Sequence, residues 1–207
     1  QTLNFYGATR VLGPPVITQN PAVCSGSIST LIITGTLTGT SINWYTSAAG
    51  GTPILTSASG QQVATPVLNA NTTYYVQQVV GGCTGVISPV TITVVAKPSA
   101  GTIVGEQTIC LNKVPAQITS SSADVGAGIT YRWESSLDGI TWSGISGANL
   151  ATYQPGALNK PTFFRRVTIR TASGINCESA TAAVKITAKN CMMITNPMVA
   201  QRVRNGA

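Results

Sequence analysis

Side-chain catalysis needs paired carboxylates, a nucleophile beside a base, or a metal held by clustered ligands. The sequence holds no histidine and five acids, Glu106, Asp124, Glu134, Asp138 and Glu178. Ser-His-Asp and Cys-His machinery are therefore excluded. Glu134 and Asp138 are four residues apart, but the segment between them reads as strand and turn, so the carboxylates need not converge. A two-carboxylate glycosidase site has no support, and calcium would need a denser set of oxygen ligands. Cysteines stand at 24, 83, 110, 177 and 191, with no CxxC pair. Without histidine they do not make a zinc site; their wide spacing in a polar chain favours disulfides and an oxidising, extracellular setting. Gly50-Gly51 and Gly126 to Gly128 are turn chemistry with no phosphate-loop context. The expectation is a protein that is not an enzyme and uses no cofactor and no metal.

The remaining chemistry-bearing groups are aromatic. Tyr131 to Trp142 alternates aromatic and polar residues around an Asp138-Gly139 turn, a strong hairpin signal. Trp133 lies between Cys110 and Cys177. A tryptophan strand between distant cysteines is the mark of an immunoglobulin-type sandwich. Trp142, just past the turn, and Tyr153 are candidate surface aromatics on which a sugar ring would stack; the bland alternative for Trp142 is a second core or interface aromatic.

The elements that must position these groups are strands. Gly, Ser, Thr, Val and Ile dominate the composition, and long stretches of helix formers are missing. The 207 residues suit two sandwich modules and a tail. We read residues 1–16 as an extended lead-in, 17–96 as immunoglobulin-like domain 1, 97–189 as domain 2, and 190–207 as a C-terminal docking tail. The fold class is all-β: two tandem immunoglobulin-like β-sandwich domains with extended N- and C-terminal segments. In domain 1, strands are expected at residues 31–35, 42–45, 53–55, 63–68, 72–80 and 86–95. In domain 2 they are expected near 101–104, 116–119, 130–134, 141–143, 163–170 and 183–187. Along the 163–170 strand, Phe163, Arg165, Val167 and Ile169 make a mostly apolar face, and Phe164, Arg166, Thr168 and Arg170 a polar one.

The net charge of +7 arises from few acids rather than many bases. The basic residues are spread thinly, so no nucleic-acid partner is expected. No apolar run reaches the roughly 20 residues of a membrane span. From Val11 to Ala96 there is no Asp, Glu, Lys or Arg, a run of 86 residues. Edge strands normally use charge to prevent edge-to-edge pairing; this module has given up that protection. One reading is a compositional habit of secreted β-repeats. The other is a surface made to pack against other copies or neighbouring modules. The tail holds all three methionines and the odd cysteine. Its candidate docking residues are Cys191, Met192, Met193, Ile194, Pro197, Met198, Val199, Arg202 and Arg204. The alternative is a disordered or tag-like end. The chain begins at Gln1 without a signal-peptide pattern, so a signal has been removed or the sequence is a fragment.

Two sets of motifs carry a family resemblance. The first is Cys24, Trp44-Tyr45, Gly50-Gly51, Thr65-Pro66, Thr72 to Val76 and Gly82-Cys83. The second is Ala100 to Ile103, Gln107 to Cys110, Tyr131 to Ser136, Asp138-Gly139, Trp142, Ile145, Gly147-Ala148, Tyr153 to Gly156, Phe164 to Arg166 and Cys177. Together they resemble the tandem Ig-like repeats of large secreted Bacteroidota proteins, many of them type IX secretion cargo, including gliding-motility adhesins and surface filaments. The resemblance implies disulfides Cys24–Cys83 and Cys110–Cys177. It implies core positions for Trp44 and Trp133, with Tyr75 and Phe164 on the strands facing them, and an ion pair of Arg165 or Arg166 with Glu134. It implies a bacterial cell-surface location.

The leading functional expectation is a non-catalytic structural or adhesive module pair of a secreted cell-surface or filament-forming protein. Its partners would be other copies or neighbouring modules, with the tail docking to an outer-membrane or secretion partner. The alternative is a carbohydrate-binding or spacer module of a secreted polysaccharide-degrading enzyme, for which a glycan ligand has no support beyond Trp142 and Tyr153.

Overall fold

The computed structural model describes residues 4–5, 8–9, 12–17 and 21–191. In chain order the strands are β1 (Asn4–Phe5), β2 (Ala8–Thr9), β3 (Val16–Ile17), β4 (Ala22–Cys24), β5 (Thr30–Thr34), β6 (Ser41–Tyr45), β7 (Leu55–Ala58), β8 (Gln62–Ala64), β9 (Thr72–Val80), β10 (Cys83–Thr84) and β11 (Ser88–Val95). They continue as β12 (Thr102–Val104), β13 (Gln107–Cys110), β14 (Thr119–Ser121), β15 (Ile129–Ser136), β16 (Ser143–Gly144), β17 (Thr162–Ala172), β18 (Ile175–Ala180) and β19 (Val184–Lys189).

One topology occurs twice. A six-stranded sheet runs β4-β11-β9-β6-β7, with β10 on β9. A second runs β13-β19-β17-β15-β16, with β18 on β17. In each, the opening strand pairs parallel with the closing one, β4 with β11 and β13 with β19. The first sheet is covered by the three-stranded β3-β5-β8, the second by the two-stranded β12-β14. Leu31 and Ile33 of the small sheet share a core with Ile42, Trp44, Val76, Val90 and Ile92 of the large one. Ile103 and Ile118 likewise meet Trp133, Phe164, Val184 and Ile186. Two apolar clusters between paired sheets make two immunoglobulin-like sandwiches. The described residues form two compact units: those up to Ser99 with Asp124–Thr130 and Thr168–Ser179, and Ala100–Ala123 with Tyr131–Val167 and the described residues from Ala180 on.

Several boundaries move from the expected ones. The short strand expected at 53–55 is β7, beginning at Leu55, and the one at 116–119 is centred later, on β14. Strands β10, β13 and β18 were invisible to periodicity because none presents a repeating apolar face. The end of the lead-in is no spacer: Val16 and Ile17 pair with Thr34 and Ile33. Buried Gln78 donates to the Gly13 carbonyl at 2.6 Å and accepts from the Thr36 backbone N–H at 2.9 Å.

Both expected core tryptophans are buried, and each indole N–H is satisfied. Trp44 donates to the Ser57 hydroxyl at 3.0 Å and Trp133 to the Leu150 carbonyl at 2.8 Å. The ring facing Trp44 edge-on is Tyr74 rather than Tyr75. Trp44 is level with Val76, so period-two alternation puts Tyr74 on its face and turns Tyr75 toward Tyr45.

In β17 the face that reads as polar is the one turned inward. Phe164, Arg166 and Thr168 are buried there, with Val167 buried opposite. Arg166 is fully enclosed, and its partners are neutral. It donates to the Ser120 hydroxyl and to the carbonyls of Ala151 at 2.9 Å and Ala100 at 2.7 Å, and lies 4.8 Å from the Tyr131 ring centroid. Its Nε has no hydrogen-bond partner among the described residues. Burial pushes its pKa down. The guanidinium serves carbonyls that no strand ladder satisfies, which is why an arginine occupies a core position.

The disulfide pairing implied by the resemblance is corrected. Cys24 bonds Cys177, with Cα atoms 5.6 Å apart, and Cys110 bonds Cys191, at 5.3 Å. Cys83 takes part in neither. Register explains the change. Cys24 is level with Val95 at one end of β11, whereas Cys83 is level with Val80, beyond the end where Ser88 pairs Val76. The strand between those levels spans more than about 20 Å, and a disulfide needs Cα atoms within about 7 Å. In the second sheet Cys110 is level with Lys189, so Cys191, two residues on, comes alongside it.

Two outcomes are expected. Peptide mapping of the alkylated, unreduced protein yields linked fragments for 24–177 and 110–191 and none for 24–83; reduction lowers stability by about 4–5 kcal/mol per bond in the chain-entropy model. Arg166→Ala, which strips the Ala100 and Ala151 carbonyls of their donor and leaves a cavity at a fully buried position, lowers the unfolding free energy by about 3 kcal/mol in denaturant titration.

Candidate functional site

The Tyr131–Trp142 hairpin was the densest group of chemistry-bearing residues in the sequence, and its acids are engaged in structure. Buried Glu134 on β15 accepts from Arg132 Nε at 3.0 Å on one oxygen and from Arg165 Nε at 2.7 Å on the other. Of the two expected partners, Arg165 makes the pair and Arg166 does not. Two guanidiniums thus engage both oxygens of one carboxylate.

Asp138 builds the turn. Its Oδ1 accepts from the backbone N–H groups of Ile140 and Thr141, both at 2.8 Å, and from the Ser136 hydroxyl at 2.7 Å. The Ser136 oxygen in turn accepts from Gly139 N–H at 2.8 Å. Those donors, the Ile140 and Thr141 amides foremost and then Ser136, hold the Asp138 carboxyl well below the usual carboxylate range. Gly139 has φ of 75°, the left-handed region such a turn requires. The result is a stiff tip that exposes Leu137 and Ile140, the latter 83% exposed.

Asp124 does comparable work at the start of the second half. It accepts from Ser99 N–H at 2.9 Å and from Arg170 at 2.8 Å, and these, Ser99 first, lower its pKa. Among the described residues no group of three or more His, Cys, Asp or Glu could hold a metal.

The two candidate sugar-stacking rings are otherwise occupied. Tyr153 is a core-packing residue: its ring stacks on Trp133 at 5.4 Å and meets Phe164 at 5.7 Å, and burial raises its pKa. Tyr153 also forms a β-bridge with fully buried Ile118, a tertiary pairing that no local pattern in the sequence announces. Trp142 is half-buried with the Arg165 guanidinium 4.2 Å above its ring, so one face is covered by a cation.

What the first sandwich offers is a surface. Ile28, Leu37, Ile54, Leu55, Val67 and Val86 are exposed, and the whole run 11–96 is uncharged. Between β7 and β8 lies an apolar cleft of about 280 Å³. Trp44 and Tyr74 form part of its lining, with Ile54, Leu55, Val63 and Pro66 around them. Sequence reading recognised the charge-free surface and missed the cleft, because the cleft depends on where two sheets end. Of the candidate docking residues, Cys191 is exposed and bonded to Cys110. Met192, Met193, Ile194, Pro197, Met198, Val199, Arg202 and Arg204 lie outside the described residues.

Comparison with known proteins bears on these modules. Residues 13–95 match the family model of an Ig-like domain, CHU_C associated. Residues 99–190 match that of a domain of unknown function, DUF8696. No curated protein matches. Similar solved structures include the tandem Ig repeats of Dlar, at 17% identity, covering 86% of this chain and 99% of that one with a TM-score of 0.33. The FN1–FN3 domains of chicken CNTN1 match at 8% identity over 87% of this chain and 65% of that one, with a TM-score of 0.43. A mouse coronavirus receptor-binding domain complexed with its murine receptor matches at 9% identity over 84% and 100%, with a TM-score of 0.41. The fold is two immunoglobulin-like sandwiches, and the first matches an Ig-like domain family, a class that is generally non-catalytic.

The Asp138 geometry carries a pH dependence. A carboxyl whose folded pKa lies below the unfolded value of about 3.9 contributes stability above that value and loses it as pH falls through the folded one. Melting temperature of the wild type therefore drops below about pH 4 more steeply than that of Asp138→Asn, which keeps the acceptor oxygen and removes the titration. Parallel curves from pH 5 to 2 would refute the assignment.

Proposed function

We propose that this chain is a non-catalytic structural or adhesive module pair of a secreted cell-surface or filament-forming protein. It acts by packing against other copies or a neighbouring partner, and residues 190–207 serve as the docking segment, toward a further copy or an outer-membrane partner. The observation that carries this reading is a folded sandwich whose sequence has no charged residue from 11 to 96 and which exposes eight large aliphatic side chains, Val16 and Ile17 of β3 among them. Ile54 and Leu55 line one apolar cleft, and uncharged edges favour pairing. Two disulfides support an oxidising, extracellular location. No helix is long and apolar enough to cross a membrane among the described residues. The match of the first module to the CHU_C-associated Ig-like domain, together with the motif order in both modules, supports placement among Bacteroidota surface repeats of the type IX secretion and gliding-adhesin kind.

The test is sedimentation velocity of the full chain over a hundredfold concentration range at low and high salt. We expect reversible association that salt does not weaken, because the surface involved carries no charge to screen. A single monomeric species throughout, or association abolished by salt, would overturn the reading.

A further inference from the structure

The cleft between β7 and β8 is where the two sheets of the first sandwich part. β7 ends one sheet and β8 ends the other. Both are uncharged, and neither carries the lysine or proline that commonly blocks an added strand. Ile54 and Leu55 on one side are 57% and 43% exposed. At about 280 Å³ the hollow is at the bottom of the range of roughly 300–1,000 Å³ for small-molecule sites. Its lining has no charged group to fix a polar ligand. It suits a few aliphatic or thioether side chains carried on an extended backbone.

The chain supplies such a segment. Residues 192–199, Met-Met-Ile-Thr-Asn-Pro-Met-Val, are uncharged, and five of the eight are apolar. They contain every methionine in the protein; methionine side chains adapt to irregular apolar hollows. They follow in sequence directly on Cys191, which is exposed and tied to Cys110. The arginines, Arg202 and Arg204, come after it and are not needed in the cleft.

We propose that residues 192–199 of one copy lie extended in the β7–β8 cleft of a second copy, residues 192–196, ahead of Pro197, adding as a strand, with Met192, Met193 or Ile194 entering beside Trp44 and Tyr74. This rests on the association reading above and names the contact. Tail-to-cleft contact is heterologous, so it propagates into a chain of subunits rather than closing a dimer. Main-chain hydrogen bonds supply affinity and the pocket supplies choice of side chain, as in other strand additions.

The experiment compares the full chain, a chain ending at Cys191, and full-length Ile54→Lys by sedimentation velocity, with thermal melts to show that each folds. A synthetic 192–199 peptide is titrated calorimetrically into the shortened chain, with and without Ile54→Lys. We expect the full chain to associate and both variants to be monomeric. We expect the peptide to bind the shortened chain and to lose roughly tenfold or more on Ile54→Lys, the change that follows loss of one buried aliphatic side chain. If the shortened chain associates as strongly as the full one, the tail contact is wrong while surface packing survives. If no form associates but the peptide binds, the tail serves its own chain or an outer-membrane partner and the second-copy contact is wrong. If nothing associates and the peptide does not bind, both readings fail.

Discussion

Each sandwich depends on one buried tryptophan on an interior strand whose indole N–H must find an acceptor. Burying the ring contributes several kcal/mol, a large part of the 5–15 kcal/mol by which domains are stable. It succeeds only if the one polar atom is satisfied. Trp44 reaches Ser57 on the neighbouring β7, and Trp133 reaches the Leu150 carbonyl in the loop beyond β16. These bonds tie an edge strand in one sandwich and a loop in the other to the core. The seating of Tyr74, and of Tyr153 with Phe164, follows from where each tryptophan lies.

The polar groups turned inward serve segments that strand pairing leaves out. Gln78 holds Gly13, and Arg166 holds Ala100 and Ala151. Glu134 accepts two arginines, Asp138 a turn, and Asp124 the backbone of Ser99. Three of the five acids are thus consumed in structure. The first sandwich, with none, solvates its surface through Ser, Thr, Asn and Gln and keeps its aliphatic side chains exposed. The two modules thus divide: one uses charge in its own architecture, and the other carries none between residues 11 and 96.

Much of the fold was legible because it is local. The long strands β9, β15 and β17 follow alternation, and the Asp138-Gly139 turn follows from glycine's access to positive φ. The fates of Trp44 and Trp133 follow from a large ring in an alternating strand. Less was legible where a one-residue shift changes the face. Tyr74 takes the place expected of Tyr75, and the polar-looking face of β17 is the inner one because Arg166 finds carbonyls there. Tyr153 looked like a surface ring because nothing local announces its stack on Trp133.

By itself the sequence determined the all-β class, the two modules, the absence of histidine-based chemistry and the charge-free run from 11 to 96, since these depend on composition and on periods of two. Only the tertiary structure decided the disulfide partners, the inward face of β17 and the cleft between β7 and β8. Each of these depends on which strand ends come level in space. Sheet register sets that, and cysteine spacing does not encode it: Cys24 and Cys83 stand at opposite ends of one sheet, and Cys110 meets Cys191 because two parallel strands end together.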